Sequence, residues 1–138
     1  MGLSIYTAGA WARREEIHGY AYRLQWLGYE ITSRWLTADQ ETLRGAAEMD
    51  AADLKRADAI LLFNDPQYFE KEPIAPSLLS CARMVELGMA LAWRKQVFVV
   101  GGKQNAFQFL PQVQMFPTFD AFVAWLGTWH KTTGGFDA

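Results

Sequence analysis

The sequence holds a single cysteine, Cys81, so neither a disulfide framework nor a multi-cysteine metal site is open to it. No apolar run approaches membrane-spanning length. The opening residues, MGLSIYTAGAWARREE, lack the basic start and apolar stretch of a secretory leader, and Tyr6 stands where an N-myristoylation signal needs Ser or Thr. A reducing cytoplasm is the expected setting. Excess charge of either sign is also missing. The net charge is −2, with Lys and Arg scattered, which argues against a nucleic-acid polymer as partner because a phosphate backbone demands a basic patch. A small phosphorylated ligand stays open, since one or two arginines and a helix N-terminus can hold it. There is no G-x-G-x-x-G, no Walker A sequence and no G-x-S-x-G elbow. His18 and His130 have no metal-ligand spacing and receive no role; no metal or organic cofactor is expected.

What remains is 138 residues, about half of them apolar, enough for one domain with a core of its own. LSIYTA (3–8) reads as a buried strand that ends in a small-residue turn. From Trp11 to Leu27, apolar residues at 17, 20, 21, 24 and 27 recur at helical spacing, and Gly28 suits the end of that helix. YEIT (29–32) is a second strand, residues 38–57 a helix, and DAILLFN (58–64) a buried strand. Residues 65–79 hold three prolines and read as a long loop. Residues 81–95 form the next helix, QVFVVGG (96–102) another strand, and 117–130 a last helix with Phe119, Phe122, Val123, Leu126 and Trp129 on one face. Residues 131–138 read as a flexible tail after a domain spanning 1–130.

Alternating strands and helices, with strands apolar throughout, predict an α/β fold: one doubly wound, Rossmann-like, flavodoxin-type parallel sheet of about five strands with helices on both faces. Ligands in such a sheet sit beyond the carboxyl ends of the strands, here residues 6–14, 33–36, 64–80 and 101–107.

Glu86 is the odd residue, a carboxylate inside the apolar helix CARMVELGMALAWRK. It either pairs with Arg83 on a solvated stripe or is held in a cleft for chemistry. Asp50 falls on the stripe Leu43, Ala47, Asp50, Leu54, Ala57 and points inward, whereas Asp53 is rotated away and expected to be exposed. Asp50 either serves a cap or buried network or joins Glu86 as the paired carboxylates of glycosidic-bond chemistry. In the turn YTAGAWARR, Gly9, Ala10 and Trp11 allow close backbone approach, and Arg13 or Arg14 suits a phosphate. Ser80 is an N-cap or a ligand contact. Trp35 and Tyr68 are placed to stack on a base, and Asn64 and Asn105 sit at strand ends among the candidate substrate contacts.

In order, IYTAGAW, DAADLKRADAILLF, SCARMVELGMAL and KQVFVVGGKQNAF resemble the nucleoside 2-deoxyribosyltransferases and their relatives, the 2′-deoxynucleoside 5′-phosphate N-hydrolases, over roughly residues 4–107. The resemblance implies that Glu86, in the E-L-G-x-A signature, attacks the anomeric carbon. It implies that Tyr6 hydrogen-bonds this nucleophile and that Asp50 positions sugar or base. Ser80 occupies the place where the hydrolases contact the 5′-phosphate, which favours a monophosphate substrate. The departure is Cys81-Ala82-Arg83, where the hydrolases have glycines; Arg83 is then a candidate to supply charge. The expected function is cleavage of the N-glycosidic bond of a 2′-deoxynucleoside or its 5′-monophosphate, passing the sugar to water or another base. The alternatives are a silent nucleotide-sensing module of the same fold, or an N-glycosidase acting on ribonucleotides. The resemblance also implies a homo-oligomer, which aromatic residues such as Phe69, Phe107 and Phe109 would permit.

Overall fold

The computed structural model describes residues 2–64, 82–103 and 106–133. Its elements run β1 (Ser4–Ala8), α1 (Arg14–Trp26), β2 (Glu30–Ile31), α2 (Leu43–Lys55), β3 (Ala59–Phe63), α3 (Ala82–Ala92), β4 (Gln96–Val100), β5 (Val113–Phe116) and α4 (Phe119–Thr133). Short 3-10 turns cover Trp11–Arg13, Arg34–Leu36 and Ala106–Phe109. The strands form one parallel sheet in the order β2-β1-β3-β4-β5. This is the expected doubly wound, flavodoxin-type arrangement, and its strand order reverses between β1 and β3.

The central strands explain their own position. Every residue of β1 and β3 is buried, because helices cover both faces and continuous apolar runs satisfy both. On one face Tyr20 of α1 stacks between Phe63 at 5.4 Å and Phe119 of α4 at 4.4 Å. Behind them Phe98, Phe116, Phe122 and Trp125 interlock at ring separations of 5.2 to 6.3 Å. On the other face α2 packs against α3. At the sheet's amino edge, Asp58 accepts from the backbone N–H and the hydroxyl of Ser4, which pins β1 to β3. Gly28 ends α1 with φ +98°, the left-handed conformation its position after the helix suggests.

Several boundaries differ from expectation. The helix expected over 38–57 starts only at Leu43, because Thr42 caps it by accepting from the Gly45 N–H at 2.9 Å. Residues 38–42 are therefore loop. β5 was not resolved from its neighbours in the sequence, since VQMF is short and half-exposed along its middle. The last helix continues to Thr133, three residues into the segment expected to be a tail. The loop expected over 65–79 lies outside the described residues, as do Tyr68, Phe69, Ser80, Cys81 and Asn105. No helix among the described residues is long and apolar enough to cross a membrane.

Candidate active site

A cavity of about 420 Å³ opens beside the carboxyl end of β1, between α2 and α3. That volume suits a small organic ligand. Tyr6, fully buried in β1, forms its floor, and Glu86, on the inward side of α3, faces it. The Tyr6 phenol donates a hydrogen bond to Glu86 Oε2. Both groups are displaced from their ordinary ionisation. Burial pushes the Glu86 carboxyl up to about 8; the Tyr6 hydrogen bond opposes this and the charge of Asp50 adds to it. Burial, followed by the neighbouring carboxylates, raises the phenol well above its usual value, so it stays a donor.

Asp50 lines the same cavity, and its Oδ1 is buried without a hydrogen-bond partner. Burial, helped by the nearby charge of Asp53, pushes its carboxyl up to about 6. The inward face of α2 is set by Met49, Asp53 and Leu54, with Ala46 and Asp50 turned to the cavity. Ala47 and Leu43, expected on the inward stripe, are exposed. The expectation for Asp53 is overturned. It is wholly buried and holds Arg34 through the backbone N–H and the guanidinium at 2.8 to 3.1 Å, with Arg56 at 3.4 Å. Two guanidiniums, Arg34 from the turn before the helix and Arg56 from its C-terminal end, make that burial tolerable.

The remaining wall is aromatic and loop-derived. Trp35 is buried, its indole N–H donating to the Thr7 carbonyl at 2.7 Å, and its ring lies 6.3 Å from that of Trp11. Arg14 lies over the Trp11 ring at 4.3 Å, donates to the Leu36 carbonyl and pairs with Asp39 at 3.1 Å, which ties the start of α1 to the loop after Leu36. Residues Ala38 to Leu43 form one side of the cavity. Sequence reasoning missed them because it placed them in a helix; the signal was Thr42, a capping residue inside a run otherwise read as helical.

The structure thus brings Tyr6, Gly9, Trp11, Trp35, Asp50 and Glu86 to one cavity. Arg13 and Asn64, expected at the same substrate, line a second cavity of about 560 Å³ with Tyr20, Gly101 and Phe119. Arg13 there grips Glu16 through Nε and Nη2 at 3.0 and 2.8 Å, since the i,i+3 spacing after the 3-10 turn turns it toward α1. Ala10 and Arg83 are not among the residues lining either cavity, and Arg83 is buried. Among the described residues no group of His, Cys, Asp or Glu is gathered as metal ligands. The arrangement offers two carboxyls that exchange protons near neutrality, one of them oriented by a phenol, in a largely apolar pocket.

No protein-family model matches this sequence, and no curated protein is similar to it in sequence. Solved structures are similar in fold. The CMP N-glycosidase BcmB of Clostridium botulinum superposes with a TM-score of 0.59 at 14% identity, over 91% of this chain and 98% of that one. A 2-deoxyribosyltransferase of the psychrotolerant bacterium Bacillus psychrosaccharolyticus gives 0.62 at 16% identity, over 89% of this chain and 95% of that one. The chain therefore has the fold of an N-glycosidase and of a 2-deoxyribosyltransferase, the fold that its sequence resemblance implies.

Proposed function

We propose that this protein cleaves the N-glycosidic bond of a 2′-deoxynucleoside or its 5′-monophosphate through a covalent intermediate on Glu86. The observation that carries the reading is the Tyr6–Glu86 hydrogen bond, buried in a ligand-sized cavity where the strand order reverses. Support also comes from the fold, shared with proteins whose names state N-glycosidase and deoxyribosyl-transfer activities.

In the first step a Glu86 oxygen bonds to the anomeric carbon while the carbon–nitrogen bond breaks. Its electron pair leaves with the base, which takes a proton from Asp50 or from water. In the second step a water oxygen, or the nitrogen of another base, bonds to the same carbon and releases Glu86. The attacking group's proton returns to the Asp50 carboxylate or to solvent. Two inversions leave the configuration retained. Tyr6 holds one carboxylate oxygen so that the other is free to attack, and a phenol that stays protonated can do this throughout the cycle.

The test is a panel of deoxynucleosides and deoxynucleoside monophosphates, with and without an acceptor base, analysed by chromatography alongside Glu86→Gln. Intact-mass analysis of quenched enzyme looks for the glycosyl adduct. Base release and adduct in the wild type alone are expected. Equal base release by Glu86→Gln, or none from any substrate, would sink the reading.

A further inference from the structure

Two parts of the cavity wall are joined by a side chain that does not line it. Arg14, the first residue of α1, stands behind the lining residues Trp11 and Asp39. Its guanidinium carbon lies 4.3 Å from the centre of the Trp11 ring, Nε donates to the Leu36 carbonyl at 3.0 Å, and Nη1 pairs with Asp39 at 3.1 Å. Trp11 comes from the turn after β1 and Asp39 from the loop before α2, so one side chain spans two segments that the backbone leaves separate. The three contacts are unequal. Asp39 is 79% exposed, so its ion pair contributes little. The Arg14 side chain is only 23% exposed, which strengthens its bond to the Leu36 carbonyl and its contact with the Trp11 ring. Trp11 depends on that contact. It is half-exposed on a 3-10 turn of three residues, whereas Trp35 beside it is buried and fixed through its indole N–H. Without Arg14, the ring and the loop would be ordered only when a ligand arrives, at an entropic cost to binding.

We infer that Arg14 is a positioning residue: it holds Trp11 and the loop from Leu36 to Asp39 as one preformed wall, and so sets how tightly the cavity binds its ligand without touching that ligand. The inference rests on the proposed N-glycosidic chemistry and names a determinant of affinity within it. Tyr6 and Glu86 stand on β1 and α3, and the bonds of Arg14 lead to neither. A preformed wall favours bound substrate and transition state alike, so its loss raises KM and spares kcat. The same commitment takes Arg14 away from the phosphate contact that its place in the turn YTAGAWARR suggests.

The test measures kcat and KM of the full chain for a 2′-deoxynucleoside and its 5′-monophosphate in the wild type, Arg14→Ala and Arg14→Lys. Arg44→Ala, which breaks an exposed ion pair on α2, is the control. Arg14→Ala should raise KM roughly tenfold for both substrates, the worth of about one charge-assisted hydrogen bond, and change kcat less than about twofold. Arg14→Lys should fall between, because one ammonium cannot lie on Trp11 and bond Leu36 and Asp39 together. If Arg14→Ala does not fold, the lysine variant supplies the comparison. Hydrogen exchange read by mass spectrometry should quicken over residues 36–42 and stay unchanged across β3. A fall in kcat with KM unchanged, a loss confined to the monophosphate, full rescue by lysine, or unchanged exchange over 36–42 overturns the inference while leaving glycosidic cleavage intact. Failure of every substrate to release base overturns the proposed function instead. Calorimetric binding of the same two compounds then still decides: weaker binding of both by Arg14→Ala supports the inference, and equal binding, or none by the wild type, overturns it.

Discussion

The phenol of Tyr6 in β1 and the carboxyl of Glu86 in α3 meet in one buried hydrogen bond across 80 residues of chain. Each changes the other's chemistry. The phenol favours the ionised carboxylate, whereas burial and Asp50 favour the protonated acid, and burial prevails.

The first prediction follows from that balance. A carboxylate nucleophile must be ionised, so kcat/KM should rise as pH increases through about 8. Tyr6→Phe removes the interaction that lowers the Glu86 value, so the rising limb should move to higher pH, with a loss of roughly 10²-fold at neutrality. Asp50→Asn removes a charge that raises it, so the limb should move the other way. Shifts in the same direction for both variants would contradict the electrostatic account.

The same displacement makes stability depend on pH. The folded chain keeps a proton on Glu86 that the unfolded chain loses above about 4.5. This contribution is complete below about 4.5 and disappears as pH rises through about 8. Glu86→Gln avoids burying a charge, so at alkaline pH it should be more stable than the wild type by at most a few kcal/mol. Urea unfolding at acidic and alkaline pH checks this, and a constant difference between the two proteins would refute it.

Asp53 should matter more for folding than its place in the sequence suggests. Asp53→Ala strips the buried partner from Arg34 and Arg56. Those guanidiniums are about half exposed and can be rehydrated, so the expected loss is roughly 2–3 kcal/mol, below the cost of stranding a fully buried ion. Equilibrium denaturation measures it. The variant should also lower the Asp50 pKa, because Asp53's charge helps raise it.

Two glycines should respond in opposite directions. Gly101 has φ +112°, and a Cβ there would lie 1.6 Å from the Asn64 carbonyl oxygen, so Gly101→Ala must displace the end of β3 or the turn after β4. Substantial destabilisation, above about 2 kcal/mol, is expected. Gly127 lies within α4 with open space where a Cβ would sit, so Gly127→Ala should stabilise the protein by about 0.5–1 kcal/mol. Thermal denaturation of both variants distinguishes them.

Much of the fold was legible because its signals are local. The apolar runs of β1, β3 and β4, and the helical spacing of α1 and α4, each follow from burying a strand on two faces or a helix on one. Glu86 stood out for a similar reason, as a carboxylate in a helix with little polar surface. Helix α2 was harder to read. Periodicity alone assigned Asp50 inward and Asp53 outward, yet both carboxylates turn inward and differ in partner. Arg34, which makes the burial of Asp53 possible, lies 19 residues earlier in the chain, and no spacing rule reports on it.

The sequence by itself determined the alternation of strands and helices, and with it a parallel sheet whose ligand edge could be named. It also singled out Tyr6, Asp50 and Glu86, each carried by a short local motif. The tertiary structure alone decided which residues share a cavity. It sent Arg13 and Asn64 to a second cavity, apart from Glu86, and brought the loop from Ala38 to Leu43 against the first cavity instead. The reason is physical: strand order and helix rotation come from packing many distant residues at once, and the charge lining a cavity is a sum over segments that no local pattern connects.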